Sequence, residues 1–154
     1  IWELWNGNTA DPAMNSGNHV MLVGDLVIWM HEYLAGIQPA PGRPGFKQVL
    51  MRPQVVRGLD WVKASHESPQ GEIKSEWRRK GDQFTWRITI PPNAEATVCI
   101  PTTAPERVLE NGRAIARVKG IEITSWKDGY LQVSVGSGTY DFQSVLLPGR
   151  EVRR

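Results

Sequence analysis

Cysteine is almost absent: Cys99 is the one thiol in 154 residues. No internal disulfide can form, and without a second Cys neither a zinc cluster nor a disulfide framework can be built. Cys99 sits in the apolar run ATVCIP, which reads as a buried, inert thiol rather than a nucleophile. Charge of one sign is equally scarce. The 18 Lys and Arg against 16 Asp and Glu leave a formal charge of +2, and the basic residues do not gather into one block, so nucleic acid is not an expected partner. The nearest basic cluster, Arg150-Glu151-Val152-Arg153-Arg154, reads as a solvated tail. Long apolar runs are missing too. The stretch from Val20 to Leu34 is interrupted by Gly24, Asp25, His31 and Glu32, too short and too polar to span a bilayer. His19, His31 and His66 share no ligand spacing, so neither a metal nor a cofactor is expected. There is no phosphate loop and no G-x-S-x-G element. The chain opens on Ile1 rather than Met, and the expectation is that further residues precede it. Compartment therefore stays open, periplasmic and secreted locations included.

What is present divides into two unlike parts. Apolar content of 40% and charged content of 22% suit a globular chain. Residues 1–37 read as a loop followed by a helix. The helix, HVMLVGDLVIWMHEYL, is expected from His19 to Leu34, capped by Asn15 or Ser16 and stopped by Gly36 in the left-handed conformation. Its apolar residues cover nearly the whole circumference, and a helix apolar all round must be buried all round. Nothing else in the sequence is helical enough to cover its second face, so partner helices outside this chain are expected. Left uncovered, that face is expected to drive self-association. Asp25, in the middle of the apolar run, is expected to hold a hydrogen-bond or ion-pair partner.

Residues 38–45 alternate Pro and Gly (Pro39, Pro41, Gly42, Pro44, Gly45) and read as a stiff linker. From residue 46 to 154 the period changes to two. Strands are expected over 46–53, 60–68, 72–79, 83–90 and 95–101, then within 108–115 and 121–147. The turn pairs Gly81-Asp82, Asn111-Gly112 and Asp128-Gly129 mark hairpins. Short strands at this spacing predict an antiparallel β-sandwich. The fold class is therefore mainly β, with one preceding helix.

Seven tryptophans are spread along the chain. Trp61, Trp77, Trp86 and Trp126 read mainly as filling between two sheets, with Trp77 and Trp86 facing each other across a hairpin. A flat carbohydrate-binding platform is the alternative. At the start, IWELWNG sets Glu3 between Trp2 and Trp5. A carboxylate between indoles is partly desolvated, which raises its pKa and suits proton transfer, and the rings could stack on the C–H face of a pyranose. Spacing alone favours the plainer reading, an exposed Glu3 flanked by core tryptophans. His19 heads the helix, where a neutral imidazole is favoured and could bond a ligand hydroxyl. It could equally serve as a cap or core residue.

Taken together, the W-E-x-W element at 2–5, the M-N-S-x-N-H element at 14–19 and the AGIQPAPGRPG junction at 35–45 resemble the C-terminal part of bacterial α-L-rhamnosidases, glycoside hydrolase family 78. The resemblance extends through GLDWVKASHESPQGEIKSEWRRKGDQFTWRITIPPNAEATVCIP to Pro101 and more loosely beyond. It implies that residues 1–37 close a catalytic (α/α)6 barrel absent from this chain, and that residues 46–154 form the sandwich that follows it. The activity implied is hydrolysis of terminal non-reducing α-L-rhamnosyl residues with inversion. Glu3 matches the family's general base, and His19 matches a residue lining the sugar site. Trp2, Trp5 and Asn18 join it as substrate contacts. The general acid would lie upstream, so this chain by itself is expected to be inactive. The implied partners are rhamnosylated glycans or glycosides and the missing barrel of the same polypeptide. Gly17 and Val20 depart from the family's usual larger and aromatic residues there.

Overall fold

The structure, a computed structural model, describes residues 21–146. The chain divides into two compact units between Met30 and His31.

The described part of the first unit is helix α1 (Met21–Trp29), which runs into a π-helical turn over Met30–Leu34. The expected helix is therefore present from Met21, but its last five residues carry one extra residue per turn. Leu26, Val27, Ile28 and Met30 are all exposed, as is Asp25, for which an ion-pair or hydrogen-bond partner was expected. Among the described residues no helix is long and apolar enough to cross a membrane.

The second unit is a two-sheet sandwich. One sheet holds β1 (Ile37–Pro39), β2 (Gln48–Met51), β6 (Glu95–Pro101), β10 (Tyr130–Val135) and β9 (Ile121–Lys127), in the order β1-β2-β6-β10-β9. The other holds β3 (Trp61–Ser68), β4 (Gly71–Lys80), β5 (Gln83–Ile90), β11 (Gly138–Val145), β7 (Leu109–Glu110) and β8 (Arg113–Ala114), in the order β3-β4-β5-β11-β7-β8.

Alternation explains why these segments are strands. In β4, Ile73, Ser75 and Trp77 point inward and are fully buried, while Lys74, Glu76 and Arg78 point outward. In β5, Phe84, Trp86, Ile88 and Ile90 are buried between outward Thr85, Arg87 and Thr89. The register sets Trp77 opposite Trp86, the pairing expected from the hairpin. Phe84 lies 5.9 Å from Trp77 and 6.3 Å from Trp86, and Phe142 of β11 adds a contact at 6.2 Å to Trp86. These tilted rings fill the middle of the sandwich and meet Met51, Val98, Ile100 and Val133 of the facing sheet in one core. The Asn111-Gly112 and Asp128-Gly129 turns both take positive φ at both residues, as two-residue hairpin loops require.

Two features differ from expectation. Ile37–Pro39 was read as the end of a helix segment and the start of a linker, yet it pairs with β2 as an edge strand. Pro39 is tolerated there because it closes a strand at the sheet's edge. The sandwich is also not wholly antiparallel, since β2 pairs with β6 in parallel. Three strands of the other sheet (β3, β4, β5) intervene between them, and an odd number of alternating traversals returns the chain in its original direction.

Candidate functional site

Glu3, Trp2, Trp5, Asn18 and His19, the site residues singled out in the sequence, all lie outside the described residues. Within them, two places carry unusual local chemistry: the exit of the π turn and the outer face of the β3-β4-β5-β11 sheet.

At the exit, five successive carbonyls each find a donor from the sandwich. Glu32 O accepts from Gln38 Nε2 at 2.6 Å, and Tyr33 O from Gln54 N at 2.8 Å. Leu34 O accepts from Trp77 Nε1 at 2.8 Å, Ala35 O from Ser75 Oγ at 2.6 Å, and Gly36 O from Arg52 N at 2.8 Å. A helix normally leaves its last four carbonyls without intrahelical partners. Here Gln38 of β1, the backbone of Gln54 after β2 and Trp77 of β4 take those of Glu32, Tyr33 and Leu34. Ser75 is itself held, because Trp86 donates Nε1–H to its Oγ at 2.9 Å. The two central tryptophans thus serve both as core and as hydrogen-bond donors to a chain of polar groups at residues 34, 35 and 75. Gly36 stops the helix as expected, at φ 73°. A side chain there would also meet the backbone of Arg52 and Pro53, so the close approach that aligns these bonds depends on its absence. The part played by Ser75 and Trp77 was not foreseen. The available signal was a Ser at an inward position of β4, between Ile73 and Trp77, where an apolar residue would otherwise stand.

The four candidate tryptophans of the sandwich split evenly. Trp77 and Trp86 are buried, as expected, whereas Trp61 is 58% and Trp126 56% exposed. This corrects their reading as core residues. Trp61 starts β3 on the outward side with Lys63, Ser65 and Glu67, and Trp126 sits on β9 at the edge of its sheet. Around Trp61 the outer face forms a cleft of about 290 Å³ lined by side chains of β3, β4, β5 and β11. Lys63 pairs with Glu76 at 3.2 Å, and Arg87 with Asp141 at 3.8 Å. These exposed pairs add little stability, about 0–1 kcal/mol each.

Among the described residues no group of three or more His, Cys, Asp and Glu converges as metal ligands would. His66 packs against Phe46 with ring centroids 4.3 Å apart. The Nδ1 atom of His31 is buried and has no hydrogen-bond partner. Cys99 is buried, as read from the sequence, and burial pushes its thiol pKa up despite nearby Arg52. The phenols of Tyr130 and Tyr140 are raised for the same first reason. All three groups hold their protons to higher pH in the folded chain than in the unfolded one. The unfolded state therefore ionises first as pH rises, and this contribution to stability is present below the ordinary thiol and phenol range and lost above it. The thermal midpoint is expected to fall between about pH 8 and pH 11, and Cys99, buried on the outer face of its sheet beside Arg52 and Tyr130, is expected to react slowly with a thiol reagent. Fast alkylation in native buffer would refute the second expectation, and an alkali-independent midpoint the first.

The architecture defines the class: a two-sheet β-sandwich domain whose side chains and loop backbone satisfy the carbonyls of residues 32–36 at its own start. The family model described as the bacterial alpha-L-rhamnosidase C-terminal domain matches residues 36–114, and the chain belongs to that family. It is 33% identical over 147 residues to an alpha-L-rhamnosidase of Streptomyces avermitilis, covering 92% of this chain and 13% of that protein. An alpha-L-rhamnosidase of Formosa agariphila is 29% identical, covering 94% of this chain and 16% of that protein. The chain thus spans less than a fifth of the length of these curated relatives. Among solved structures, the S. avermitilis alpha-L-rhamnosidase complexed with L-rhamnose superposes at a TM-score of 0.74 with 31% identity, over 87% of this chain and 12% of that one. The alpha-L-rhamnosidase of Dictyoglumus thermophilum gives 0.70 with 32% identity, over 84% of this chain and 14% of that one. The alpha-L-rhamnosidase of Aspergillus terreus, at 23% identity and a TM-score of 0.64 over 97% of this chain and 14% of that one, shares the fold.

Proposed function

We propose that this chain is the C-terminal part of an inverting glycosidase that removes terminal non-reducing α-L-rhamnosyl residues. The observation that carries the reading is the match to proteins named alpha-L-rhamnosidase over more than nine-tenths of the chain, together with the W-E-x-W and M-N-S-x-N-H elements before the sandwich. In this reading the residues before β1 close a helical catalytic barrel, and the sandwich that follows takes its first strand already from Ile37–Pro39. Inversion needs a general acid and a general base about 6.5–9.5 Å apart, with a water between the base and the sugar. Glu3 supplies the base, and the acid comes from residues upstream of this chain. Trp2, Trp5, Asn18 and His19 contact the sugar. In this role Glu3 needs partial desolvation, which raises a carboxylate's pKa and keeps it basic enough to take a proton from water.

The sandwich contributes no reacting group. Its task is positional: donors from Gln38, Gln54, Trp77, Ser75 and Arg52 hold residues 32–36 in one conformation. A site residue on a segment ending in such an anchor loses less order than one on a free end, and a misplacement of about 1 Å at a reacting centre can cost about 10²-fold in rate.

The test uses a panel of aryl glycosides against the 154-residue chain and against the complete polypeptide. The chain alone is expected to release no nitrophenol from any of them, and the complete polypeptide to act on the α-L-rhamnoside. Turnover by the chain alone would place a complete acid–base pair within it. Activity of the complete polypeptide on other glycosides only would overturn the substrate.

A further inference from the structure

The cleft around Trp61 has a composition that core packing does not explain. Its floor is the backbone of β3, β4, β5 and β11, and two rows of outward residues run across it in register. The first row sets Trp61 opposite Arg78, Arg78 opposite Thr85, and Thr85 opposite Gln143. The second sets Lys63 opposite Glu76, Glu76 opposite Arg87, and Arg87 opposite Asp141. Residues at paired positions share one face of the sheet, so indole, guanidinium, hydroxyl and amide stand in line beside a ladder of alternating charge.

The two rows differ in how far their groups are already committed. In the second, each carboxylate has a cation: Lys63 takes Glu76 at 3.2 Å and Asp141 takes Arg87 at 3.8 Å. The residues lining the cleft therefore carry three cations against two anions, and among the described residues Arg78 makes no ion pair. This uncommitted guanidinium is the register neighbour of an indole that is 58% exposed. An isolated exposed Trp needs no explanation. One set beside an uncommitted Arg, a Thr and a Gln, at the rim of a cleft of about 290 Å³, presents the groups that a small polar ring with an anionic substituent requires. The cleft lies near the lower end of the range for small-ligand sites, about 300–1,000 Å³.

We propose that this face is a saccharide-binding site that takes a pyranose bearing a carboxylate. Trp61 stacks on the apolar C–H face of the ring. Arg78 holds the carboxylate through a fork of two N–H donors. Thr85 and Gln143, each both donor and acceptor, bond the hydroxyls. The Lys63–Glu76 and Arg87–Asp141 pairs keep neighbouring charges occupied, so that the net attraction for an anion is centred on Arg78. The proposal does not rest on the hydrolase reading.

The experiment titrates the ¹⁵N-labelled 154-residue chain with the α-1,4-linked galacturonate trimer and, separately, with the same trimer carboxyl-reduced to its neutral form. Indole Nε1–H signals report directly. Trp77 and Trp86 donate internally and serve as controls for folding, while Trp61 and Trp126 report their own surfaces. The Trp61 signal is expected to move with the uronate trimer while the Trp77 and Trp86 signals stay. Binding is expected to be about tenfold weaker for the neutral trimer, from loss of the charge-assisted bond, and to weaken with added salt. Arg78→Gln should bring the two trimers to equal affinity, and Trp61→Ala should weaken both about tenfold or more with the control signals unmoved. No movement at millimolar trimer, movement at Trp126 instead of Trp61, or equal affinity for both trimers in the unaltered chain would each overturn the assignment.

Discussion

Replacing Glu3 by Gln in the complete polypeptide is expected to lower kcat on an aryl α-L-rhamnoside by about 10²–10⁴-fold. Gln keeps the volume and one acceptor oxygen but cannot take a proton from the attacking water. The effect should therefore fall on kcat and kcat/KM together, with KM little changed, because the missing interaction is made only as the water loses its proton. The pH profile gives a second and independent reading. The acid limb of kcat/KM reports the free enzyme's base, and Glu3→Gln should erase that limb while leaving the alkaline limb, which belongs to the acid. A purely structural Glu3 would behave otherwise: activity would fall through loss of folded protein, and the surviving fraction would keep the wild-type profile. A drop below about tenfold, or an unchanged acid limb, would remove Glu3 from the catalytic pair.

Most of the sandwich was legible because its signals are local. The strands expected over 83–90 and 95–101 coincide with β5 and β6, and those over 60–68 and 72–79 match β3 and β4 to within one residue at each end. Period-two alternation with Asn-Gly and Asp-Gly turns specifies such hairpins within a few residues. What was not legible is what depends on distant parts of the chain. The β1 strand is three residues long and ends in Pro39, so it has no period to read, and it exists because β2 offers an edge. The π turn at Met30–Leu34 has no mark in its own residues, since the donors that take Glu32 O, Tyr33 O and Leu34 O come from Gln38, Gln54 and Trp77. The tryptophans show the same division. Trp61 alternates with Lys63, Ser65 and Glu67, a local signal for an outward position that the reading of the tryptophans as filling did not use. The outward position of Trp126 follows from β9 lying at a sheet edge, which is a matter of strand order. At the proposed catalytic site the balance reverses. Spacing alone favours the plainer reading of Glu3 and leaves His19 open between chemistry and packing, and only the resemblance of the surrounding elements points both to chemistry.

The largest expected effect on stability comes from one of the smallest changes, Gly36→Ala. Gly36 is buried, lies at φ 73°, and a Cβ on it would overlap the backbone of Arg52 and Pro53. The left-handed conformation costs a residue with a Cβ about 1–2 kcal/mol. The overlap adds to this, because backbone on both sides must separate and neither can yield like the tip of a flexible side chain. Separation strains the bonds that depend on the approach, Arg52 N to Gly36 O and Gln54 N to Tyr33 O, both 2.8 Å. Each is worth about 1 kcal/mol net, and about 1–3 kcal/mol when its loss leaves a buried group unsatisfied. The total is about 4 kcal/mol, a large part of the 5–15 kcal/mol typical of a whole domain. In a chain of this length that shifts the thermal midpoint down by about 10 °C or more. Denaturant unfolding should show a lower midpoint with an unchanged slope, marking a loss of native stability rather than a change in the unfolded chain. A loss below about 1 kcal/mol would mean that residues 35–37 and 52–53 part at little cost. The five-carbonyl anchor would then be a loose contact, and the sandwich could not hold the end of the preceding helical segment as proposed.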